Sequence, residues 1–289
     1  MPKQLLNYKG PFGDDFEPFE KSFVHHERLQ LRTLLYNYEI TEHLHTDLVQ
    51  LFLITAGGGL LLSSGRKIPL ESPCVLIIPI NRLHGFVFQS EVKGDVFTIP
   101  EVFFEDILKN SPPIFAAFDG LQHFSLDAGA ELFLELLDIK NRIIRELQHL
   151  DKATELTLGL LFQLLLVNLY RSRKADRVEP IKTDDRALNH FHTFKKLIKQ
   201  YRHEGKPVLF YASEMNLTTV HLNRICQAVT QKTALQVVHE QVLLEAKKYL
   251  SSTAYSIAEI AYFLGFKDPA HFSKFFKKKT GMTPSAFRK

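Results

Sequence analysis

Residues 256–289 read SIAEIAYFLGFKDPAHFSKFFKKKTGMTPSAFRK. The first half carries a complete helix start: Ser256 can cap the amide three residues on, and Glu259 can reach back to close a capping box. Ile257, Ile260, Ala261 and Leu264 recur at helical spacing and give one apolar face, until Gly265 supplies a left-handed stop. Asp268 and Pro269 then form a second start, a cap followed by a first-turn proline. Phe272, Phe275 and Phe276 make the expected buried stripe of this second helix. Its opposite face shows Ala270, Lys274 and Lys277, flanked by His271, Ser273 and Lys278. A short, polar, cationic outer helix fits a DNA major groove, with lysines reaching phosphates and small polar groups near base edges. A helical hairpin with a solvated charged face has the same periodicity, so the period alone leaves both readings open.

A second pair is predicted upstream. Tyr211–Met215 begins a short helix, and Thr218 and Thr219 cap the next, which buries Leu222, Ile225, Cys226 and Val229. That helix turns Val220, Arg224 and Gln227 outward, with His221 and Asn223 alongside; arginine and asparagine have the shapes that read guanine and adenine edges. Cys226, on the apolar face, reads as core and not as a redox switch. Phe191, Phe194, Leu197, Ile198 and Tyr201 mark a helix before this pair. Between the pairs a helix is expected over 235–250, with Leu235, Val238, Val242, Ala246 and Tyr249 on one face and Ser251-Ser252-Thr253 at its end. Its length of ~24 Å, with the flanking pairs, would set two recognition helices about one DNA turn, ~34 Å, apart.

The run EIAYFLGFKDPAHFSKFFKKKTGMTPSAFR follows, without a gap, the pattern I-A-x-x-x-G-F-x-D-x-x-x-F-x-x-x-F-K-K-x-x-G-x-T-P-x-x-F/Y-R. It closely resembles the second helix-turn-helix of AraC-family (AraC/XylS-type) transcriptional regulators. The upstream pair matches more loosely, and Lys232 stands in the segment where many members carry glycine, which leaves that turn's geometry open. The resemblance implies a DNA-binding domain, double-stranded promoter DNA as partner, and RNA polymerase as a further partner if the protein activates. Most relatives are activators, although the residues themselves do not show the sign of regulation.

The 289-residue chain has room for two domains. At 45% hydrophobic and 24% charged residues it should be globular. Its charge is uneven: from Lys182 on there are 18 Lys/Arg against 8 Asp/Glu, and before it 18 against 24. The basic third suits nucleic acid. No apolar run approaches the roughly 20 residues of a membrane helix, so no membrane partner is expected, and residues 1–20 lack the apolar core of a secretory signal. Cys74 and Cys226 offer no disulfide framework, and a cytoplasmic location follows. No Ser/His/Asp set or phosphate-cradling glycine loop is present, so neither enzymatic activity nor a cofactor is expected.

In the N-terminal part, strands are expected over Leu29–Ile40, Leu48–Ala56, Leu60–Ser63, Cys74–Ile78 and Phe86–Gln89, with Gly57-Gly58-Gly59 as a break. Short strands at this spacing indicate a barrel or jelly roll. Alternation puts His43 and His45 on one face. With Gln50 and His84 they resemble the cupin pattern H-x-H-x(3,4)-E…H, glutamine standing where a carboxylate usually ligates. Three imidazoles and an oxygen would suit zinc, iron or manganese. The neutral amide is a poor ligand, however, and the AraC resemblance implies histidines kept without metal, so the expectation is no metal and a small-molecule effector pocket. Tyr36, Tyr38, His43, His45, Gln50, Phe52, His84 and Phe86 would line it, with Phe88 nearby; aromatics in a β domain serve equally as core.

From Ala130 to Arg171 the period changes. Leu132, Leu136, Ile139, Ile143, Leu147 and Leu150 step by three or four, and Leu156–Leu169 is apolar nearly all round. Such helices carry more apolar surface than one barrel flank needs, which points either to a dimer interface or to internal packing; the resemblance implies a homodimer. Residues 172–185, charged and containing Pro180, read as a linker. The expected chain is α+β: a cupin-like β jelly roll over 1–129, dimerisation helices over 130–171, the linker 172–185, and an all-α domain over 186–289 with two helix-turn-helix motifs joined by a long helix. The function expected is a DNA-binding transcriptional regulator controlled by an effector. Two alternatives are a metal-dependent cupin enzyme with a DNA-binding appendage, and an effector-independent regulator whose barrel only dimerises.

Overall fold

The structure is a computed structural model that describes residues 6–7, 24–149, 151, 153–176 and 186–288. The chain divides into two compact units, Met1–Asp184 and Asp185–Lys289.

The first unit contains β1 (Leu6–Asn7), β2 (His25–Arg28), α1 (Leu29–Leu35), β3 (Glu39–Leu44), β4 (Leu48–Ala56), β5 (Gly58–Ser63), β6 (Arg66–Glu71), β7 (Cys74–Ile78), β8 (His84–Phe88), β9 (Lys93–Pro100), α2 (Glu101–Leu108), α3 (Pro112–Ala117), β10 (Gln122–Ser125), α4 (Glu131–Glu146) and α5 (Thr154–Asp176). The strands form two five-stranded sheets, in the orders β1-β3-β8-β5-β6 and β10-β7-β4-β9-β2. All pairings are antiparallel except β1 with β3.

The second sheet is apolar on both faces, and β4 (LVQLFLITA) shows why. Phe52 and Ile54 enter a core shared with Leu61, Phe86 and Phe88 of the first sheet. Leu51 and Leu53 enter another, with Phe97, Leu136, Ile139, Phe162 and Leu165. Each of these side chains contributes on the order of 2 kcal/mol by leaving water. Much of the apolar surface of α4 and α5 is therefore spent inside the unit. Asp95, on β9, fastens the layers: its carboxylate accepts from His26 Nε2 at 2.8 Å and from Lys140 Nζ of α4 at 3.0 Å. Burial pushes the pKa of Asp95 up, but these bonds outweigh it and hold the group below its usual value.

Several expectations need correction here. Leu29–Ile40 is not one strand: Leu29–Leu35 is helical, burying Leu29, Arg32 and Thr33 at helical spacing, with Arg32 Nη1 2.6 Å from Glu27 Oε1. Tyr36 and Tyr38 fall in the turn after α1, Tyr38 at φ 62°. The last strand is His84–Phe88, not Phe86–Gln89, and Gly58 and Gly59 belong to β5, so the break is at Gly57, φ 70°. On α4, Phe133 is buried where Leu132 was expected, and Leu150 lies outside the described residues. On α5, Leu158, Phe162, Leu165, Leu166 and Leu169 are buried, but Leu156, Leu160 and Leu164 are 49–69% exposed, so the helix is not covered all round. The start of the expected linker, 172–176, continues α5; Arg173 Nη1 donates to Ala117 O at 2.8 Å, and no helix-breaking residue occurs there. Residues 177–185 of that segment lie outside the described residues.

The second unit is all helical: α6 (Arg186–Gln200), α7 (Val208–Glu214), α8 (Thr219–Thr230), α9 (Ala234–Ser252), α10 (Ile257–Phe263), α11 (Pro269–Thr280) and α12 (Pro284–Arg288). Helix α7 starts at Val208, after Pro207, earlier than the expected Tyr211. Helix α9 buries Ala234, Val237, Val238, Gln241, Ala246 and Leu250, while Leu235, expected on that face, is 51% exposed. Its capping box at Thr233 and Gln236 starts the helix at Ala234, one residue before the expected Leu235, while Val238 and Ala246 are buried on the expected face.

The two helix pairs repeat one backbone pattern. Asn216 N donates to Ser213 O, and Gly265 N to Tyr262 O, both at 3.0 Å; both turn residues have positive φ, 53° and 78°. Leu217 N then reaches Ala212 O at 2.9 Å, and Phe266 N reaches Ala261 O at 3.0 Å. Helices α8 and α11 have 12 residues each and start 50 positions apart. They close on Gln231, φ 59°, and Gly281, φ 82°. Thr230 Oγ1 donates to Cys226 O as Thr280 Oγ1 does to Phe276 O. Gly205 and Gly265 bring the two halves into backbone contact: a Cβ on Gly265 would lie 2.5 Å from Gly205 N.

Candidate functional site

Helix α8 is capped by Thr218, whose Oγ1 accepts from His221 N at 3.1 Å; α11 is capped by Asp268, whose Oδ1 accepts from His271 N at 2.7 Å. Leu222, Ile225, Cys226 and Val229 pack inward on α8, and Phe272 and Phe276 on α11. Phe275, expected with them, is only partly buried and meets His239 of α9 at 5.2 Å. The outward faces then carry the expected residues. On and before α8, Thr218, Val220, His221, Arg224 and Gln227 are exposed and Thr219 is partly buried; on α11, Ala270, His271, Lys274, Lys277 and Lys278 are exposed and Ser273 is partly buried. Lys279 is exposed beside them and was not singled out from the sequence; three consecutive lysines at the end of a short helix were the available signal. Together they also suit the negative end of the helix dipole.

Asn223 Nδ2 donates to Thr219 O at 3.0 Å and its Oδ1 accepts from Ala234 N at 2.9 Å. The two bonds tie α8 to the first residue of α9. Lys232 places its Nζ 2.7 Å from the Glu240 carboxylate, and the left-handed residue that a glycine would provide is Gln231. Cys226 is fully buried, and burial pushes its thiol up to about 12.

In the first unit, His43, His45 and His84 converge, with one ring nitrogen from each within 4.8 Å of the others. His43 and His84 face each other across the β3–β8 ladder, at a bulge. Their Nδ1 atoms pair at 2.8 Å with Thr41 O and Arg82 O. His84 Nε2 lies 3.0 Å from Gln50 Oε1. Burial holds the pKa of His43 down at about 4 and that of His84 well below its usual value, so both are neutral near pH 7. Phe52 and Phe86 lie 4.9 Å apart in the same interior, both 1% exposed, while Tyr36 and Tyr38 pack partly buried at its margin. Arg32, whose charge bears on both His43 and His84, is a further neighbour that sequence reasoning missed. An arginine inside the apolar run LQLRTLL was the visible sign.

A helix-turn-helix domain model matches residues 211–289. The Probable transcription factor PqrA of Proteus vulgaris is 36% identical over 87 residues, 30% of this chain and 71% of that protein. The chain belongs to the AraC family. The MmsAB operon regulatory protein of Pseudomonas aeruginosa is 27% identical over 169 residues, 58% of this chain and 49% of the relative, so the chain spans about half the length of that family member. The HTH-type transcriptional activator RhaS of Yersinia pseudotuberculosis is 22% identical over 259 residues, 86% of this chain and 88% of the relative. The AraC-family match falls on the unit that carries α8 and α11. Among the described residues no helix is long and apolar enough to cross a membrane.

Proposed function

We propose that this chain is a sequence-specific DNA-binding transcriptional regulator of the cytoplasm, working on promoter DNA under the control of a small ligand held in its N-terminal unit. The observation that carries the reading is the repeated pair α8 and α11: two capped helices, on one backbone pattern, each packed from behind and presenting polar and cationic side chains. An arginine such as Arg224 can bind a guanine edge in bidentate fashion, and lysines such as Lys274 and Lys277 neutralise phosphates. Helix α9 has 19 residues, roughly 28 Å of rise, a length that suits two recognition helices in successive major grooves. Relatives named as activators favour activation, with RNA polymerase as a partner.

The two sheets enclosing the histidine cluster favour a cupin-like jelly roll as the effector domain. The stripe Leu156, Leu160 and Leu164, repeating every four residues on the exposed side of α5, supports a homodimer built on that helix.

The test is selection of genomic fragments on the full-length protein at moderate salt. Enrichment of a site spanning two major grooves supports the reading. Retention of sequence-random DNA alone overturns it.

A further inference from the structure

We propose that the start of α6 is a third DNA-contacting element, with Arg186 and His190 binding backbone phosphates beside the groove that α8 enters. The inference rests on the regulator reading and adds to it a surface outside both helix-turn-helix pairs.

The reason lies in the charge of the first pair. Helices α8 and α11 run in one register, so Arg224 stands where Lys274 does. Gln227, Ala228 and Val229 then stand where α11 has Lys277, Lys278 and Lys279. Helix α7, VLFYASE, adds no cation. The flanking lysines are engaged: Lys206 Nζ lies 3.0 Å from the Glu204 carboxylate, and Lys232 Nζ 2.7 Å from that of Glu240. Arg224 is then the pair's own cation for DNA, and a guanine edge takes it. Roughly half or more of the hydrogen bonds to DNA go to phosphate and sugar, and these contacts hold a recognition helix in register. The first pair therefore needs cations from a neighbour.

Helix α6 supplies them. It contains Arg186, Lys195, Lys196 and Lys199 and no aspartate or glutamate. Leu188, Phe191, Phe194 and Ile198 form its buried face, and Arg186 is exposed. The helix packs on α8, where the His190 ring lies 6.4 Å from the ring of His221. His221 belongs to the first turn of α8, since its amide is the one Thr218 caps. That turn of a recognition helix is held nearest the base edges. A side chain beside it stands at the groove wall, where the phosphates run. Arg186 is one turn before His190 on the same side of α6, and its guanidinium can bind a phosphate through two N–H groups. Lys195, Lys196 and Lys199 lie further along and have partners of their own, which assigns the contact to Arg186 and His190. The second pair has no such requirement. The helix before it, α9, carries Glu240 and Glu245, and α11 brings its own lysines.

The experiment uses the full-length protein with the duplex recovered by fragment selection and a scrambled duplex. Binding is titrated at several salt concentrations for wild type, Arg186→Ala, Arg186→Lys and His190→Ala. Arg186→Ala should lower affinity roughly three- to tenfold on both duplexes and reduce the salt slope by about one, with base preference unchanged. Arg186→Lys keeps the charge and should recover most of the loss and the full slope. His190→Ala should give a smaller loss on both duplexes. Ethylation of a phosphate at the edge of the α8 groove should block wild type and leave Arg186→Ala unaffected. Equal affinity and equal slope for wild type and Arg186→Ala overturn the contact, as does an identical ethylation pattern for the two. Wild-type preference for the selected duplex, in that case, leaves the regulator reading standing. Absence of that preference removes the regulator reading, and the salt slope on either duplex still decides the contact.

Discussion

In the first helix-turn-helix the chain turns between its helices at Asn216, φ 53°; in the second it turns at Gly265, φ 78°. The hydrogen bonds around the two turns are the same, so the turn itself accepts either residue, asparagine being among the few side chains that tolerate a left-handed backbone. What singles out Gly265 is its neighbour Gly205, whose backbone occupies the place of a Cβ. The recognition helices differ in the same way. Helix α8 shows one cation, Arg224, with Gln227 a turn on, whereas α11 shows Lys274, Lys277, Lys278 and Lys279 on a comparable frame. One frame presents a side chain fit for base edges, and the other presents charge fit for phosphates. A repeated backbone thus need not mean a repeated role.

The largest effect expected is at the glycine contact. Gly265→Ala forces a left-handed alanine, costing about 1–2 kcal/mol, and adds a collision with the Gly205 backbone. The total should exceed about 2 kcal/mol by chemical denaturation. Asn216→Gly should leave stability unchanged or raise it by a few tenths of a kcal/mol. Similar losses for Gly265→Ala and Asn216→Ala would show that the turn, and not the contact, selects glycine.

On the regulator reading, Arg224→Ala should cost about 1–3 kcal/mol of discrimination at one or two bases. Lys277→Ala should weaken binding on all sequences and flatten the salt dependence by about one unit of slope. Titration of each variant against cognate and scrambled DNA at several salt concentrations checks this. If Lys277→Ala changes base preference while Arg224→Ala does not, the division of labour between α8 and α11 is wrong.

The contrast at Asn223 and Ser273 is finer. Asn223 satisfies the amide of Ala234 at the start of α9, but the residue that follows α11 at the equivalent place is Pro284, which has no amide hydrogen to satisfy. Asn223→Ala should therefore cost about 1 kcal/mol through an unpaired donor, with a parallel loss of DNA affinity as α8 loosens, and Ser273→Ala should cost little. Equal losses at both positions would remove the positioning role.

This pair also shows what the sequence could carry and what it could not. The second helix-turn-helix was legible because its signals are local: a cap, a box, a glycine and a proline at fixed offsets. The bond that Asn223 accepts from Ala234 N was not legible, because that partner lies eleven residues on and is a backbone group, which no side-chain pattern records. Leu29–Leu35 was misread as strand because short apolar runs look alike in either state, and Arg32, the clue to a helix with a polar partner, gains its meaning only beside Glu27. The apolar excess of α4 and α5 was visible, but its division between a sheet buried on both faces and an exposed leucine stripe is a property of the assembled layers. The histidine cluster lies between these cases: the alternation of His43 and His45 was readable, while their meeting with His84 depended on the pairing of β3 with β8.

The smallest effect separates the two pairs at their first helices. Helix α10 begins with a closed capping box, Ser256 N donating to Glu259 Oε2 at 2.7 Å and Glu259 N to Ser256 Oγ at 3.2 Å, whereas α7 begins after Pro207 with no side-chain cap. The bonds from Ser256 hold the Glu259 carboxylate below its usual pKa. Its contribution is therefore whole above the ordinary glutamate value and is lost as the pH falls through the lower, folded-state value. The Cα chemical shifts of Ile257–Ile260 should move toward coil values on acidification through that range, with those of Val208–Tyr211 unmoved. Glu259→Gln, which can keep the reach-back bond without titrating, should hold the α10 shifts constant across the same pH range. If both helix starts respond alike to acid, the capping box does not distinguish the two pairs, and the difference between them is confined to the glycine contact and the exposed faces of α8 and α11.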